Sequence, residues 1–228
     1  GFQRTDEHND LLRKFSFRVK KDDCLDLPEK TYQYRYVDMT KEQEKAYKEM
    51  KELCITTTAN TVVTVPNKLA MLVKLHQIVC GHIIDNQGNT IYLKNNRLDA
   101  LLELTEEVDN KCIIWACYRA DLRQIAKELK EKYGTDKVVE YWGDTDDKER
   151  KANIIAFTKG DAKFFVANPA TGGFGLNLQA ANTVIYYNNS YNLEHRLQSE
   201  DRCHRIGQNK NVNYIDITTL KTVDNLII

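Results

Sequence analysis

No run of this chain approaches the ~18 consecutive apolar residues that a membrane-spanning helix needs, and no signal-peptide pattern opens it. The six cysteines are scattered without a CxxC pair, so the usual zinc spacings are absent. Cys80 and His82 form a lone CxH with no second ligand pair, and Cys80 is read as a core residue. Thiols in a domain of this size are expected to stay reduced inside a cell. No GxxxxGK[ST] loop occurs, which excludes the common glycine-lysine phosphate cradle. Asp6-Glu7-His8 has the letters of an acidic box, but such a box ends a buried apolar strand, and residues 1–5 do not form one. Charge of neither sign dominates: 33 basic and 33 acidic residues leave a net charge of zero. That argues against nucleic-acid binding by bulk charge and leaves a local basic groove open. Internal repeats and low-complexity linkers are also missing.

The 228 residues, 42% hydrophobic and 29% charged, suit one large soluble domain or one domain with an appendage. Residues 1–21 carry an apolar cluster at Leu11, Leu12, Phe15 and Phe17, read as a short helix or an extended lead-in. Tyr32, Tyr34 and Tyr36 alternate with polar residues, which predicts a strand. Thr40 and Gln43 have the spacing of a capping box, so a helix follows to at least Leu53. Residues 56–65 read as a loop or irregular extension. Pro66 suits a helix N-terminus, and Leu69, Leu72, Val73, Leu75, His76 and Val79 then recur at helical spacing. His76, alone on that apolar face, is read as a satisfied core histidine. Residues 83–93 predict a hairpin across 85–89.

From residue 95 the pattern alternates. Helices are expected over 97–108, 120–133, 146–158 and 193–204, and strands over 111–118, 137–142, 163–167, 183–187 and 212–217. This rhythm predicts a doubly wound α/β domain with a mostly parallel sheet. Within it, residues 168–208 read NPATGGFGLNLQAANTVIYYNNSYNLEHRLQSEDRCHRIGQ. A glycine-rich turn leaves one strand, a second strand follows, and a charged helix closes the stretch. Gln198, Arg202 and Arg205 stand at i, i+4 and i+7, so a helix over 193–204 carries all three on one face. The glycines let backbone amides approach a phosphate. Alternatively, Gly173-Phe174-Gly175 opens a dinucleotide fingerprint, a weak match because Leu178 takes the third glycine's place and Asn188 and Asn189 replace the acid. The arginines can stabilise charge on a transferring phosphoryl group. Otherwise they are salt-bridged to Glu194, Glu200 or Asp201 on a solvated face. Asp201 either orients Arg202 or caps charge, and Gln198 either touches a nucleotide or holds the helix to the sheet.

These motifs resemble a known family. TGGFGLNLQAANTVI (171–185) and QSEDRCHRIGQ (198–208) are similar to motifs V and VI of the Swi/Snf branch of superfamily-two helicase-like ATPases, AGGxGLNLxxAxxVI and QxxDRxHRIGQ. LPEK with the following strand and MTKEQEKAY resembles the family's segment after motif III, KCIIWACY with Arg119 its motif IV region, and YWGDT with Glu149, Arg150 and Phe157 the next block. The resemblance runs from about residue 27 to the C-terminus. Thr171 stands for the family's alanine. Asn188 stands where an aspartate is usual, so no polar role is carried to that position. NPATGGFGLNL with YYNNSYNLEHRLQ is most similar to phage and prophage members.

The resemblance implies a RecA-like C-terminal lobe over 95–228, preceded over 1–94 by a helical extension with a small hairpin. It implies that the chain begins after a first lobe has ended. Arg202 and Arg205 would be catalytic arginine fingers. Gly173, Gly175, Gln198, Arg202 and Arg205 would face the nucleotide, ATP with Mg2+, held mainly by an N-terminal lobe. Tyr118, Arg119, Gly143, Asp144, Thr171 and Gly172 would touch the DNA backbone, with duplex DNA as partner, in the cytoplasm of a bacterial or phage-infected cell. A stand-alone nucleic-acid or protein-binding module derived from such a lobe is the alternative, and a Rossmann-like cofactor enzyme a second one.

Overall fold

A computed structural model describes residues 5–16, 24–58, 61–172 and 175–227. Helix α1 (Thr5–Arg13) carries exposed Leu11 and Leu12, with exposed Phe15 just beyond it. Phe17 of the same expected cluster lies outside the described residues. Strand β1 (Lys30–Tyr36) follows. Helix α2 (Lys41–Leu53) starts at the expected capping box: the Thr40 side chain accepts from the Gln43 amide, and the Gln43 side chain accepts from the Thr40 amide. The described residues of 56–64 are not irregular. Ile55–Thr58 (β2) pairs antiparallel with Thr61–Thr64 (β3) and buries Val63. The β-branched run was the strand signal. Helix α3 (Lys68–Cys80) is capped by Asn67, whose side chain accepts from the Ala70 amide, so Pro66 sits one residue before the cap rather than inside the helix. His82–Ile84 (β4) and Thr90–Tyr92 (β5) make the expected hairpin. Asp85 fixes its turn by accepting from the amides of Gln87 and Asn89.

The alternating half then runs α4 (Asn96–Glu106), β6 (Lys111–Trp115), α5 (Arg119–Tyr133), β7 (Val138–Tyr141), α6 (Asp147–Thr158) and β8 (Phe164–Ala167). A single helical turn α7 (Pro169–Gly172), β9 (Ala181–Tyr186), α8 (Leu193–Glu200) and β10 (Val212–Thr218) complete it. Six strands form one parallel sheet in the order β1-β10-β9-β6-β8-β7. The expected division at residue 94 cuts across this sheet, because β1 precedes it yet forms the sheet's edge beside β10, with Lys30 opposite Val212 and Tyr36 opposite Thr218.

Successive strand residues serve opposite faces, as the period of two requires. Cys112, Ile114, Phe164, Val166 and Ile185 pack with Leu101, Leu122, Ile125 and Leu129 of α4 and α5. Ile113, Trp115, Phe165, Val184 and Tyr214 pack with Phe157 and Cys203 on the other face. Helices on both faces of a parallel sheet are the RecA-like α/β arrangement, and the near-continuous apolar strands follow from burial on both sides. A third core, around Met50, Val63, Leu75, Ile78 and Ile83, holds the extension together. Arg97, almost fully buried, ties the start of α4 to the strand ends and reaches the extension only through Asp224, whose Oδ1 lies 3.7 Å from His76 Nε2 of α3. It donates to the carbonyls of Tyr187 (2.6 Å) and Ile217 (3.0 Å), to Thr219 and to Asp224.

Candidate functional site

Parallel pairing brings the C-terminal ends of four strands to one rim. Trp115 lies opposite both Ala167 and Tyr186, and Tyr141 opposite Ala167. The segments leaving these residues carry the expected DNA contacts. Two asparagines stitch the rim. Asn168 donates through Nδ2 to the Cys117 carbonyl at 2.9 Å, and its Oδ1 accepts from the Ala170 amide at 2.8 Å. Asn188 accepts from the Cys117 amide at 2.7 Å and donates to Asp121 Oδ2 at 2.6 Å and to Cys80 Sγ at 3.1 Å. An amide serves there because the position needs one acceptor and one donor. An aspartate would set a second carboxylate against buried Asp121.

Tyr118 caps α5, but its side chain turns away from the rim. Its hydroxyl lies 2.8 Å from His76 Nδ1, and its ring meets His76 and His82 edge-on. Burial pushes the phenol well above its ordinary range. Burial likewise pushes His76 down to about 4, with Asp224 opposing and Arg97 reinforcing the shift. His76 is therefore a neutral core histidine, but it is not fully satisfied as expected: Nδ1 meets the Tyr118 hydroxyl, while buried Nε2 has no hydrogen-bond partner among the described residues. Only the backbone of Tyr118 is left to face a ligand. Arg119 and Asp144 come together, with Nη1 3.3 Å from Oδ1. Arg123, which the sequence reading passed over, also reaches Asp144, with Nη2 2.9 Å from Oδ2. Its signal was the i, i+4 spacing from Arg119. Gly143 lies under this group: a Cβ there would stand 3.3 Å from Arg119 Nη2. Thr171 and Gly172 lie in α7, where the Thr171 amide donates to the Asn168 carbonyl.

Arg202 and Arg205 do not share a helical face with Gln198, contrary to expectation. Helix α8 ends at Glu200, Asp201 is its C-cap, and both arginines lie in the turns beyond. The cause is tertiary. Cys203 Sγ donates to the Ala181 carbonyl at 2.7 Å, Gln208 Nε2 to the carbonyls of Gln179 and Ala181 at 3.1 and 2.8 Å, and the Leu178 amide to the Arg202 carbonyl at 2.9 Å. These bonds hold residues 202–208 against the tail of the glycine-rich segment, where a continuing helix would carry them away. Gly207 permits the approach: its φ is 95°, and a Cβ would meet Gln179 Oε1 at 2.7 Å. Arg205 Nη1 donates to the Leu176 carbonyl at 3.2 Å and is paired with no carboxylate among the described residues. Partial burial holds the Arg202 guanidinium below its ordinary pKa, the like charge of Arg205 adds to this, and Asp201 opposes it. Gln198 donates to Glu194 at 2.7 Å on the exposed side of α8. Gly175 has φ 73° with open space around it. Gly173 lies outside the described residues.

The expected residues thus fall into two groups. Arg119, Gly143, Asp144, Thr171 and Gly172 occupy the rim. Arg202 and Arg205 pack beside the segment that descends from the rim toward the start of β9. Arg196 is fixed elsewhere, donating to Asp216 Oδ2 at 2.9 Å and Glu200 Oε1 at 2.8 Å over the Tyr186 ring. Two arginines in one turn, each raising the positive potential at the other, suit an anion such as a phosphate group. The described residues contain no group of three or more His, Cys, Asp or Glu side chains placed to hold a metal ion.

The model of the helicase conserved C-terminal domain matches residues 93–207, just over half of the chain. The chain belongs to that family. This helicase C-terminal domain is 28% identical over 237 residues to the SWI/SNF chromatin-remodeling complex subunit snf22 of Schizosaccharomyces pombe, an alignment covering 96% of the chain and 14% of snf22. Its fold matches the C-terminal part of the Fun30 ATPase domain with a TM-score of 0.67 at 20% identity, covering 89% of each chain. It also matches a Sulfolobus solfataricus SWI2/SNF2 ATPase C-terminal domain with a TM-score of 0.59 at 23% identity, covering 87% of this chain and 83% of that one. The helicase domain spans about a quarter or less of curated relatives it matches, 26%, 13% and 10% for three of them. No helix among the described residues is long and apolar enough to cross a membrane.

Proposed function

We propose that this helicase C-terminal domain is the second lobe of a Swi/Snf-type DNA-dependent ATPase, and that it closes on an N-terminal RecA-like lobe to complete the ATP site. The observation that carries this reading is the interlock of residues 202–208 with residues 176–181, which places Arg202 and Arg205 in one turn with no carboxylate among the described residues paired to Arg205. Bound between the lobes, ATP supplies the phosphoryl group that is transferred to water. Arg202 and Arg205 would face its phosphates, and the N-terminal lobe would supply the phosphate cradle and the magnesium ligands. The rim residues Arg119, Gly143, Asp144, Thr171 and Gly172, with the Tyr118 backbone, would meet the phosphates of duplex DNA, contacts that give affinity without sequence readout. The wording of residues 168–178 and 186–198 supports a phage or prophage source and hence a cytoplasmic setting. The test is DNA-stimulated ATP hydrolysis by the natural-length protein carrying Arg205→Lys. Lysine keeps the charge and loses the planar fork, so hydrolysis is expected to collapse while ATP and DNA still bind. Near-normal hydrolysis in both Arg202→Lys and Arg205→Lys would overturn the reading.

A further inference from the structure

Arg119 and Arg123 stand four residues apart on the first turns of α5 and converge on one carboxylate, each taking a different oxygen of Asp144. The carboxylate is held in place by its own turn. The Thr145 amide donates to the Trp142 carbonyl at 3.1 Å, and the buried Thr145 hydroxyl accepts from the Trp142 amide at 3.3 Å. Gly143 leaves the space that the Arg119 guanidinium fills. The side chains of Arg119 and Arg123 are 67% and 63% exposed and that of Asp144 36%. Ion pairs this open to water contribute little to stability, so the cluster is not what holds the turn to the helix. Two guanidinium groups on two oxygens of one anion is also how arginine pairs hold a phosphodiester.

We infer that Asp144 is an internal stand-in for a DNA phosphate: it gathers Arg119 and Arg123 into a phosphate-binding pair and masks their charge until a backbone phosphate displaces it. This deepens the reading of the rim as a DNA-backbone surface and rests on it. It adds Arg123 as a binding residue and turns Asp144 from a contact into a competitor. The N-terminal amides of α5 lie beside the pair and favour an anion further, and no side chain caps them. Masking also fits a chain of zero net charge: affinity would rise only where the DNA backbone can replace the carboxylate.

The experiment measures anisotropy of a labelled DNA duplex against the 228-residue chain over a range of salt. Asp144→Asn is compared with Asp136→Asn, which makes the same charge change on an exposed residue just before β7, at the opposite end of that strand from the rim. Thermal melts check that all variants fold alike. Asp144→Asn is expected to bind more tightly, with the slope of log affinity against log salt steeper by about 0.9 for each guanidinium freed onto a phosphate. Asp136→Asn is expected to leave the slope unchanged, and adding Arg123→Ala to Asp144→Asn should remove the gain. Equal tightening by Asp144→Asn and Asp136→Asn overturns the masking role, as does weaker binding by Asp144→Asn. The double variant Arg119→Ala, Arg123→Ala separates the two levels. If it weakens binding while Asp144→Asn gains nothing, only the masking fails. If it binds like the unaltered chain, the rim reading fails with it.

Discussion

Gln208 Nε2 donates to the carbonyl of Ala181 at 2.8 Å, so the last residue of the arginine turn is tied to the first residue of β9. The same amide reaches the carbonyls of Gln179 and Cys203, and its oxygen accepts from the amides of Asn209 and Lys210. One side chain thus satisfies backbone groups on both motifs. Gln208→Ala would take this donor from the carbonyls of Gln179 and Cys203, at about 1–3 kcal/mol for each one orphaned, while the Ala181 carbonyl keeps the Cys203 thiol. A fall of roughly 2–4 kcal/mol in urea unfolding is expected. An unchanged midpoint would show that water replaces these bonds and that the interlock is not held by Gln208.

Two glycines should respond in opposite ways. Gly207 has φ 95° and lies close to Gln179, so Gly207→Ala carries a left-handed backbone cost of about 1–2 kcal/mol and lowers stability. Gly143 has no such backbone demand and meets only the mobile end of Arg119. Gly143→Ala is expected to keep its melting temperature and to lose DNA affinity as Arg119 shifts. If Gly143→Ala instead melted several degrees lower, the glycine would be part of the fold and not of the surface.

The 228-residue chain is expected to hydrolyse no ATP, with or without DNA, because it contains no GxxxxGK[ST] cradle and no acidic box ending a buried strand. In the natural-length protein, loss of an arginine finger is worth about 10³ to 10⁵ in turnover, whereas an arginine merely salt-bridged at the surface is worth about 0 to 1 kcal/mol. Phosphate release measured on both proteins distinguishes these. DNA-stimulated turnover by the 228-residue chain alone would sink the two-lobe reading.

The buried histidine gives a pH signature. His76 has a folded pKa of about 4 against 6.5 when exposed. Between those values the unfolded chain binds the proton and the folded chain does not, so stability rises with pH across this window and is lost as pH falls from about 6.5 toward 4. The contribution is up to about 3 kcal/mol. Urea unfolding at a series of pH values should show this loss in the unaltered chain and a shallower profile in His76→Gln. Parallel profiles would mean that His76 is charged in both states or in neither.

Breaking the Arg97–Asp224 pair should be costly, since it leaves a buried carboxylate beside two unsatisfied carbonyls. Arg97→Met is expected to lose about 3–5 kcal/mol and to loosen the extension from the sheet. Hydrogen exchange that stayed slow in α3 would contradict the second part.

Local chemistry was readable in the chain itself. The Thr40–Gln43 capping box, the hairpin turn at Asp85, the Gly134 stop of α5 and the alternation of buried strands with amphipathic helices each depend on residues within a few positions of one another. So the sequence by itself determined the α/β class, most element positions and the glycine and arginine motifs that mark the family. The tertiary structure decided what depends on residues far apart. It ended α8 at Glu200, because Cys203 and Gln208 find their partners at Ala181 and Gln179, more than twenty positions upstream. It also sent β1 to the edge of the main sheet, turned Tyr118 inward onto His76 and brought Arg123 to Asp144. The physical reason is that helical periodicity records which side of an element is apolar. It does not record which distant carbonyl or carboxylate will complete a hydrogen bond, and at this site those distant bonds place the arginines.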